Sequence, residues 1–484
     1  MNTISLLLAV PLLSAFLSGV LPRSRQTLIE YAAICVGLLE VVLVLFSISS
    51  IQAGTLAATP LFATDMLGGF VLLFASIVGL AAAIHSVGHL REEMRKGIIG
   101  FRRIRQYFFL FHLFFFAMFT AAATSSPLIM WISIEATTLA SAFLITFYNK
   151  PSALEAGWKH LIVNSAGLLL GFLGTLLFLN AAASAGTADT FVSWDTLHSL
   201  SHNFDPLLIK LAFVFVLVGF GTKVGFVPMH TWLPDAHSKA PVPISSLLSG
   251  VLLNVALIAI LRFRSVTDSV VDPHFTQTLL LTFGIVSLVL SAFIIFVQKN
   301  YKRMLAYSSI EHMGVMGLGF GFGGVASVAA LYHMFYHALL KPILFFCAGN
   351  FFLKYSSTKI KMVRGALTLL PVTSVVFFAG LLAISGIPPS GIFFTKLTIL
   401  SEGMIHYPIL TIVAIMALAI VFAGFIRHSM NMLFSEPPAD LRRGEAGLWT
   451  LASIVFLSTL FVVLSFWIPQ PFHELIAAAS SIIK

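Results

Sequence analysis

Apolar runs of about 20 residues recur from one end of this chain to the other, separated by short polar connections. A run of that length crosses a bilayer as a helix, because hydrocarbon offers no water to an unpaired backbone N–H or C=O. The alternation in segments of about 10 residues that marks a membrane β-barrel is missing. The expected fold class is therefore an all-α polytopic membrane protein with about 14 transmembrane helices. The spans fall roughly at 3–20, 28–50, 66–88, 106–124, 127–147, 159–182, 208–228, 244–262, 276–298, 303–321, 325–352, 370–400, 408–433 and 447–468. Charged residues make up only 10% of the sequence, against about 25% in a soluble domain, and no soluble domain is expected. The first run lacks a basic leader and a good cleavage site, so it reads as a retained span. After the last span, 471–484 reads as a short surface helix with no room for a long lateral arm.

The net charge of +9 raises the question of nucleic acid, but the basic residues sit in the short connections, as topogenic loops do. Alternate connections collect Arg23, Arg25, Arg91 to Arg105, Lys150, Lys159, Lys239, Lys299, Lys302, Arg303, Lys354 to Arg364, Arg427, Arg442 and Arg443. The opposite side holds Lys210, Arg262, Arg264 and Lys484. The positive-inside rule makes the first side cytoplasmic, which places the chain in the inner membrane with both termini outside. Connections 89–106 and 355–369 serve either as partner-docking surfaces or as headgroup anchors. Cys35 and Cys347 lie in apolar runs without CxxC spacing, which argues against a cysteine-ligated cluster or a disulfide framework.

Lys223, Lys341 and Lys396 belong to neither side. A lysine at membrane depth is costly and marks a functional site by default. Lys223 lies just ahead of Pro228, which breaks the seventh span, and the twelfth is broken at Gly386-Ile-Pro-Pro389, just ahead of Lys396. Two broken helices, each with a buried lysine nearby, point to two five-helix repeats; an odd number of spans per repeat requires them to be inverted. The implied organisation is 1–105 (first three helices), 106–262 (helices 4–8), 276–433 (helices 9–13) and 434–484 (last helix and tail).

Other polar residues fill in around these lysines. Glu135, mid-way along the fifth span, reads as a partner that tunes when Lys223 holds its proton; snorkelling is the plainer alternative for the lysine. His333, His337 and Lys341 recur at i, i+4, i+8, on one helix face with about 6 Å of rise per step, which suits a hydrated proton relay. Haem ligation is a competing use of membrane histidines, with His85, His89, His112 and His333 as candidates. Glu311 and His312 lie about 12 Å beyond the basic anchor of the tenth span, deep enough to need partners and placed to admit protons. Lys396 is a candidate exit group, Glu402 a loop charge, and Asn254 a water-binding, non-titrating group.

Several stretches carry a resemblance: Gly221-Thr-Lys-Val-Gly-Phe-Val-Pro-Met-His-Thr-Trp-Leu-Pro-Asp-Ala-His237, Lys302-Arg-Met-Leu-Ala-Tyr-Ser-Ser309, His337 to Lys341, and Gly386-Ile-Pro-Pro389. Together they resemble the antiporter-like membrane subunits shared by respiratory complex I, Mrp-type Na+/H+ antiporters and group 4 membrane-bound hydrogenases. Asn254, Ser309-Ile-Glu-His-Met313 and Ile134 to Ser141 look most similar to the hydrogenase-4 component F type. The resemblance implies that Glu135 and Lys223 are the family's fifth-span glutamate and seventh-span lysine, Lys341 its central lysine, and Lys396 its twelfth-span terminal group. The family often has a lysine where this chain has Asn254, so a link from Lys223 to the centre depends on water or on His230 and His237.

The function expected is a proton-translocating subunit of a redox-driven complex, with no cofactor, metal or catalytic chemistry of its own. Partners are other membrane subunits, antiporter-like and redox, and the bilayer. The alternatives are a subunit of a multisubunit Na+/H+ antiporter and a haem- or quinone-binding electron carrier.

Overall fold

The computed structural model describes residues 3–55, 59, 61–187 and 191–483, and Lys484 lies outside them. The regular structure among the described residues is helical, apart from two isolated bridges, Phe62 with Thr124 and Asn300 with Lys359. The helices run α1 (Thr3–Val20), α2 (Gln26–Gln52), α3 (Met66–Arg95), α4 (Phe101–Ala123), α5 (Pro127–Ile145), α6 (Pro151–Ser184) and α7 (Trp194–Leu200). They continue with α8 (Pro206–Val224), α9 (Trp232–Lys239), α10 (Val242–Leu247), a π-turn (Leu248–Leu252), α11 (Leu253–Asp268), α12 (His274–Val297) and α13 (Tyr301–Phe322). The rest are α14 (Gly324–Tyr355), α15 (Ala366–Leu369), α16 (Pro371–Ser385), α17 (Gly391–His406), α18 (Pro408–Leu433), α19 (Leu448–Phe466) and α20 (Gln470–Ile482).

Among the described residues, twelve helical segments are long and apolar enough to cross a membrane by length and composition. The chain is a multi-pass membrane protein. The two further expected spans are helical but fall short for a physical reason. α13 carries Glu311 and His312 in its middle, and α16 and α17 are halves of 15 and 16 residues on either side of a break.

Both breaks use the same backbone device. α8 stops at Gly225 (φ 88°) and α16 at Gly386 (φ 93°), left-handed conformations that close a helix and that glycine adopts without steric cost. Prolines follow each stop, at Pro228 and at Pro388 and Pro389, and prevent the helix from continuing.

α3, α11, α13 and α14 form the buried centre. α1, α2, α18 and α19 keep large apolar side chains exposed, such as Phe16, Phe46, Ile409 and Leu448, as expected of helices facing lipid or another subunit. Close approach inside the bundle relies on small residues. An added Cβ on Gly219 would lie 2.2 Å from the backbone N of Gly171, which is how α8 and α6 come to pack backbone to backbone. The C-terminal α20 packs on α3, where the Phe472 and Phe70 rings meet, and buries Leu475 and Ile476.

The structure corrects the loop boundaries. The expected connection 89–106 is largely helix, and it buries His89 and Glu93 completely. Lys302, counted with the topogenic charges, is buried and donates to the Ala240 carbonyl at 2.9 Å. On the opposite side, Arg262 and Arg264 are not loop charges either: Arg262 binds Asp65 through both terminal nitrogens (2.6 and 2.7 Å), and Arg264 binds Asp268 at 3.0 Å. Glu402 sits on α17, 3.7 Å from His406, rather than in a loop.

Candidate functional site

Two polar clusters occupy the middle of the bundle, one at each broken helix. The first gathers around α8. Lys223 is wholly buried, and its Nζ donates to Thr138 Oγ1 at 2.9 Å. Thr138 Oγ1 lies 3.3 Å from Glu135 Oε2, and Ser165 donates to the other carboxylate oxygen at 2.6 Å. Glu135 is thus not in direct contact with Lys223, as the expectation of a pair implied; a threonine hydroxyl stands between them. α5 explains the arrangement: Glu135 is only partly buried and shares a face with exposed Ile132 and Leu139, while Thr138 points inward. The carboxylate therefore reaches the flank of the bundle, and the lysine stays inside it.

His160, which sequence reasoning missed, joins this cluster. Its Nε2 lies 2.9 Å from Ser141 Oγ, and its ring packs at 4.7 Å on Trp232, the same indole that Lys223 approaches at 5.8 Å. The expected start of the sixth span at 159 left His160 at a helix end, but α6 begins at Pro151 and carries His160 inside. The i, i+4 spacing of His160 and Asn164 was the available signal, and the two side chains meet at 3.2 Å.

The second cluster joins α13, α14 and α17. Lys396 Nζ donates to Glu311 Oε1 at 2.9 Å and to the Ile384 carbonyl at 3.1 Å, one of the unpaired carbonyls at the end of α16. Glu311 Oε2 lies 3.1 Å from His312 Nε2, without the alignment of a hydrogen bond. His312 Nδ1 meets His333 Nε2 at 2.8 Å, and His333 Nδ1 meets Thr395 Oγ1 at 2.8 Å. The His337 ring lies 5.2 Å from that of His312, and neither of its nitrogens has a protein partner. One turn further along α14, Lys341 donates to the Leu305 carbonyl at 2.6 Å and to Ser308 Oγ. All these groups are buried, Glu311 among them.

With this geometry in place, comparison with known proteins is direct. Residues 124–423 match the family described as NADH:quinone oxidoreductase/Mrp antiporter, TM. The chain belongs to that family. It is 35% identical over 383 residues to a hydrogenase-4 component F homolog of Methylacidiphilum infernorum, covering 78% of this chain and 80% of the relative. Its fold matches a chain of the membrane-bound sulfane sulfur reductase, an archaeal respiratory membrane complex, with a TM-score of 0.86 at 22% identity, covering 100% of this chain and 98% of that one. It also matches a chain of the Mrp complex from Dietzia sp. DQ12-45-1b, with a TM-score of 0.83 at 18% identity, covering 99% and 96%.

Every residue of the two clusters lies within the part matched to the NADH:quinone oxidoreductase/Mrp antiporter family. Asn254 and His237 are both buried. Asn254 donates back to the Gly250 carbonyl at 2.8 Å, and its Oδ1 has no protein partner. His237 Nδ1 binds the Leu233 carbonyl at 2.8 Å and Nε2 is left unpartnered, while the ring lies 6.3 Å from Trp232 and 5.7 Å from Phe345. It thereby touches the indole of the first cluster and the helix of the second. His230 packs on Tyr307 at 6.1 Å in the turn after the first break.

Of the four haem candidates, His333 has both nitrogens engaged by protein, and His85 binds Ser453 through Nδ1 (2.9 Å) and stacks on Phe346. His112 and His89 complete the set: His112 is buried on α4, and His89 shares α3 with His85.

Proposed function

We propose that this chain is a proton-translocating subunit of a redox-driven membrane complex, hydrogenase- or complex I-like, with no redox centre, cofactor or metal of its own. The observation that carries this reading is the mid-membrane series Lys396, Glu311, His312 and His333, with His337 and Lys341 alongside. Ionisable side chains placed in contact where hydrocarbon is the alternative have no plainer use than proton movement. The first cluster is the coupling element. A charge change in a neighbouring subunit acts on Glu135 at the flank, Thr138 transmits it, and Lys223 gives up or takes a proton. His237 carries the proton on toward Lys341, with Asn254 holding water on the way, and Lys396 releases it. His230 and His312 support the two ends of the route.

The same reading takes the two broken helices as matching members of inverted five-helix repeats, 106–262 and 276–433, within about 14 crossings. It places the chain in the inner membrane with its basic end cytoplasmic and both termini outside. The partners are antiporter-like and redox membrane subunits. Lys223→Ala and Glu135→Gln are expected to reduce proton pumping in vesicles carrying the assembled complex, and full pumping by either would refute the proposal.

A further inference from the structure

The basic end of the bundle holds a cavity of about 150 Å³ that neither cluster uses. Lys150 and Ser152 stand exposed at its mouth, and its inner wall is made by buried His89, Ala240 and Lys302. Such a volume has room for several water molecules, and polar groups line it to hold them. His89 lies outside the family-matched region.

What sits at the inner end is chemically specific. His89 is completely buried, and its Nδ1 has no protein partner. The other nitrogen, Nε2, lies 3.3 Å from Glu93 Oε1, one turn along α3. Tyr148 donates its hydroxyl to that same oxygen at 2.6 Å and lies 3.5 Å from His89 Nε2. Glu93 Oε2 has no partner. The stacked ring of His85, 6.1 Å away and one turn deeper in the membrane, has its Nε2 unpartnered. A purely structural ion pair leaves no reason for an unpartnered ring nitrogen on a residue that lines a water-sized cavity, since a buried polar atom without a partner costs about 1–3 kcal/mol.

We propose that this cavity is a proton inlet from the basic face, with His89 and Glu93 as its inner gate. The inference rests on the proton-translocation reading above and adds a site to it. A proton from cavity water binds Nδ1 of neutral His89; the Nε2–H bond breaks, and its proton goes to the Glu93 carboxylate. One proton moves from cavity to Glu93, and the ring stays neutral in its other tautomer until it turns over or exchanges back. Tyr148 holds the carboxylate in line, and His85 is the next acceptor along α3.

The test uses vesicles holding the assembled complex, with the basic face outward and proton uptake followed by a pH-sensitive dye. His89→Ala and Glu93→Gln should each reduce uptake at least tenfold, and added imidazole should restore a measurable part of it in His89→Ala alone, because the cavity admits the free ring. A Ser152→Cys variant should lose uptake on reaction with a membrane-impermeant bulky maleimide, relative to the same variant unreacted. Wild-type uptake in both His89→Ala and Glu93→Gln, while Lys223→Ala is inactive, would overturn the inlet and leave the proposed function standing. Uptake unaffected in Lys223→Ala as well would remove the proposed function first. Should the His89 variant fail to assemble, unaltered uptake by maleimide-reacted Ser152→Cys overturns the inlet by itself. So does loss of uptake without any imidazole rescue when inorganic phosphate, bound by Lys150 at the mouth, protects Ser152→Cys from labelling, since that identifies an anion site instead.

Discussion

Glu311 and Lys396, 85 residues apart, are joined by a 2.9 Å ion pair at the second helix break. The lysine is held from its other side by the Ile384 carbonyl at the end of α16, so the pair exists only while α16 stops where it does. Removing one partner leaves the other charge buried and unopposed, which costs about 3–5 kcal/mol.

The two residues should therefore behave as one unit. Glu311→Gln and Lys396→Met are each expected to lower proton pumping at least tenfold and to lower the melting temperature of the purified complex. The double variant should be no worse than the poorer single one, because the first change already removes the interaction. Vesicle pumping and thermal unfolding of all three variants check this; losses that multiply would mean that the residues act separately.

Thr138 hydrogen-bonds to both Lys223 and Glu135. Thr138→Val keeps the shape and removes the hydroxyl, leaving the ammonium short of an acceptor at a cost of about 1–3 kcal/mol. Pumping should fall roughly ten-fold or more, and Thr138→Ser should restore most of it. Equal pumping by the valine and serine variants would show that the bridge carries no signal.

The fold and the site were legible to different depths. Twenty-residue apolar runs declare helices whatever their neighbours, and glycine with proline declares a break, so the architecture and Lys223, Lys341 and Lys396 could be read directly. Partnership could not. Lys223 with Thr138 and Lys396 with Glu311 are long-range contacts that only the packed bundle specifies. Lys302 and Arg262 misled for a related reason: a basic residue near a helix end looks topogenic, yet the helices overrun the expected spans and carry these charges inside, to Ala240 and Asp65. Glu93 and His89 were hidden the same way, by an α3 that continues to Arg95.

Gly219 offers a test of packing alone. A Cβ there would lie 2.2 Å from Gly171 N and 2.4 Å from its Cα, and backbone atoms cannot rotate away as a side-chain tip can. Gly219→Ala must push α8 from α6, and overpacking of this kind costs about 1–3 kcal/mol. A melting temperature lowered by several degrees is expected, with reduced pumping because Lys223 rides on α8 one turn further on. Gly186→Ala is a poor control because its φ is 94°; Gly100→Ala, with nothing within 4 Å, should melt like the parent.

Acid stability should depend on Asp65, which lies just ahead of α3. It caps that helix by accepting from Gly68 N at 2.8 Å and binds Arg262 through both oxygens. Burial works to raise its carboxyl, but the Arg262 charge and hydrogen bonds outweigh burial and hold it below the usual carboxylate range. A carboxyl lowered in the folded state stabilises the protein above the unfolded value of about 3.9, and that stability is lost as the pH falls through the lower folded value. The side chain is 36% exposed, so solvent screening limits the contribution to about 1 kcal/mol or less. Melting followed from pH 7 down to about pH 3 should show a decline in the wild type that Asp65→Asn lacks, the variant being less stable at pH 7 and nearing the parent at the acid end. Parallel curves with a constant offset would mean that Asp65 contributes through its helix cap and not through its charge.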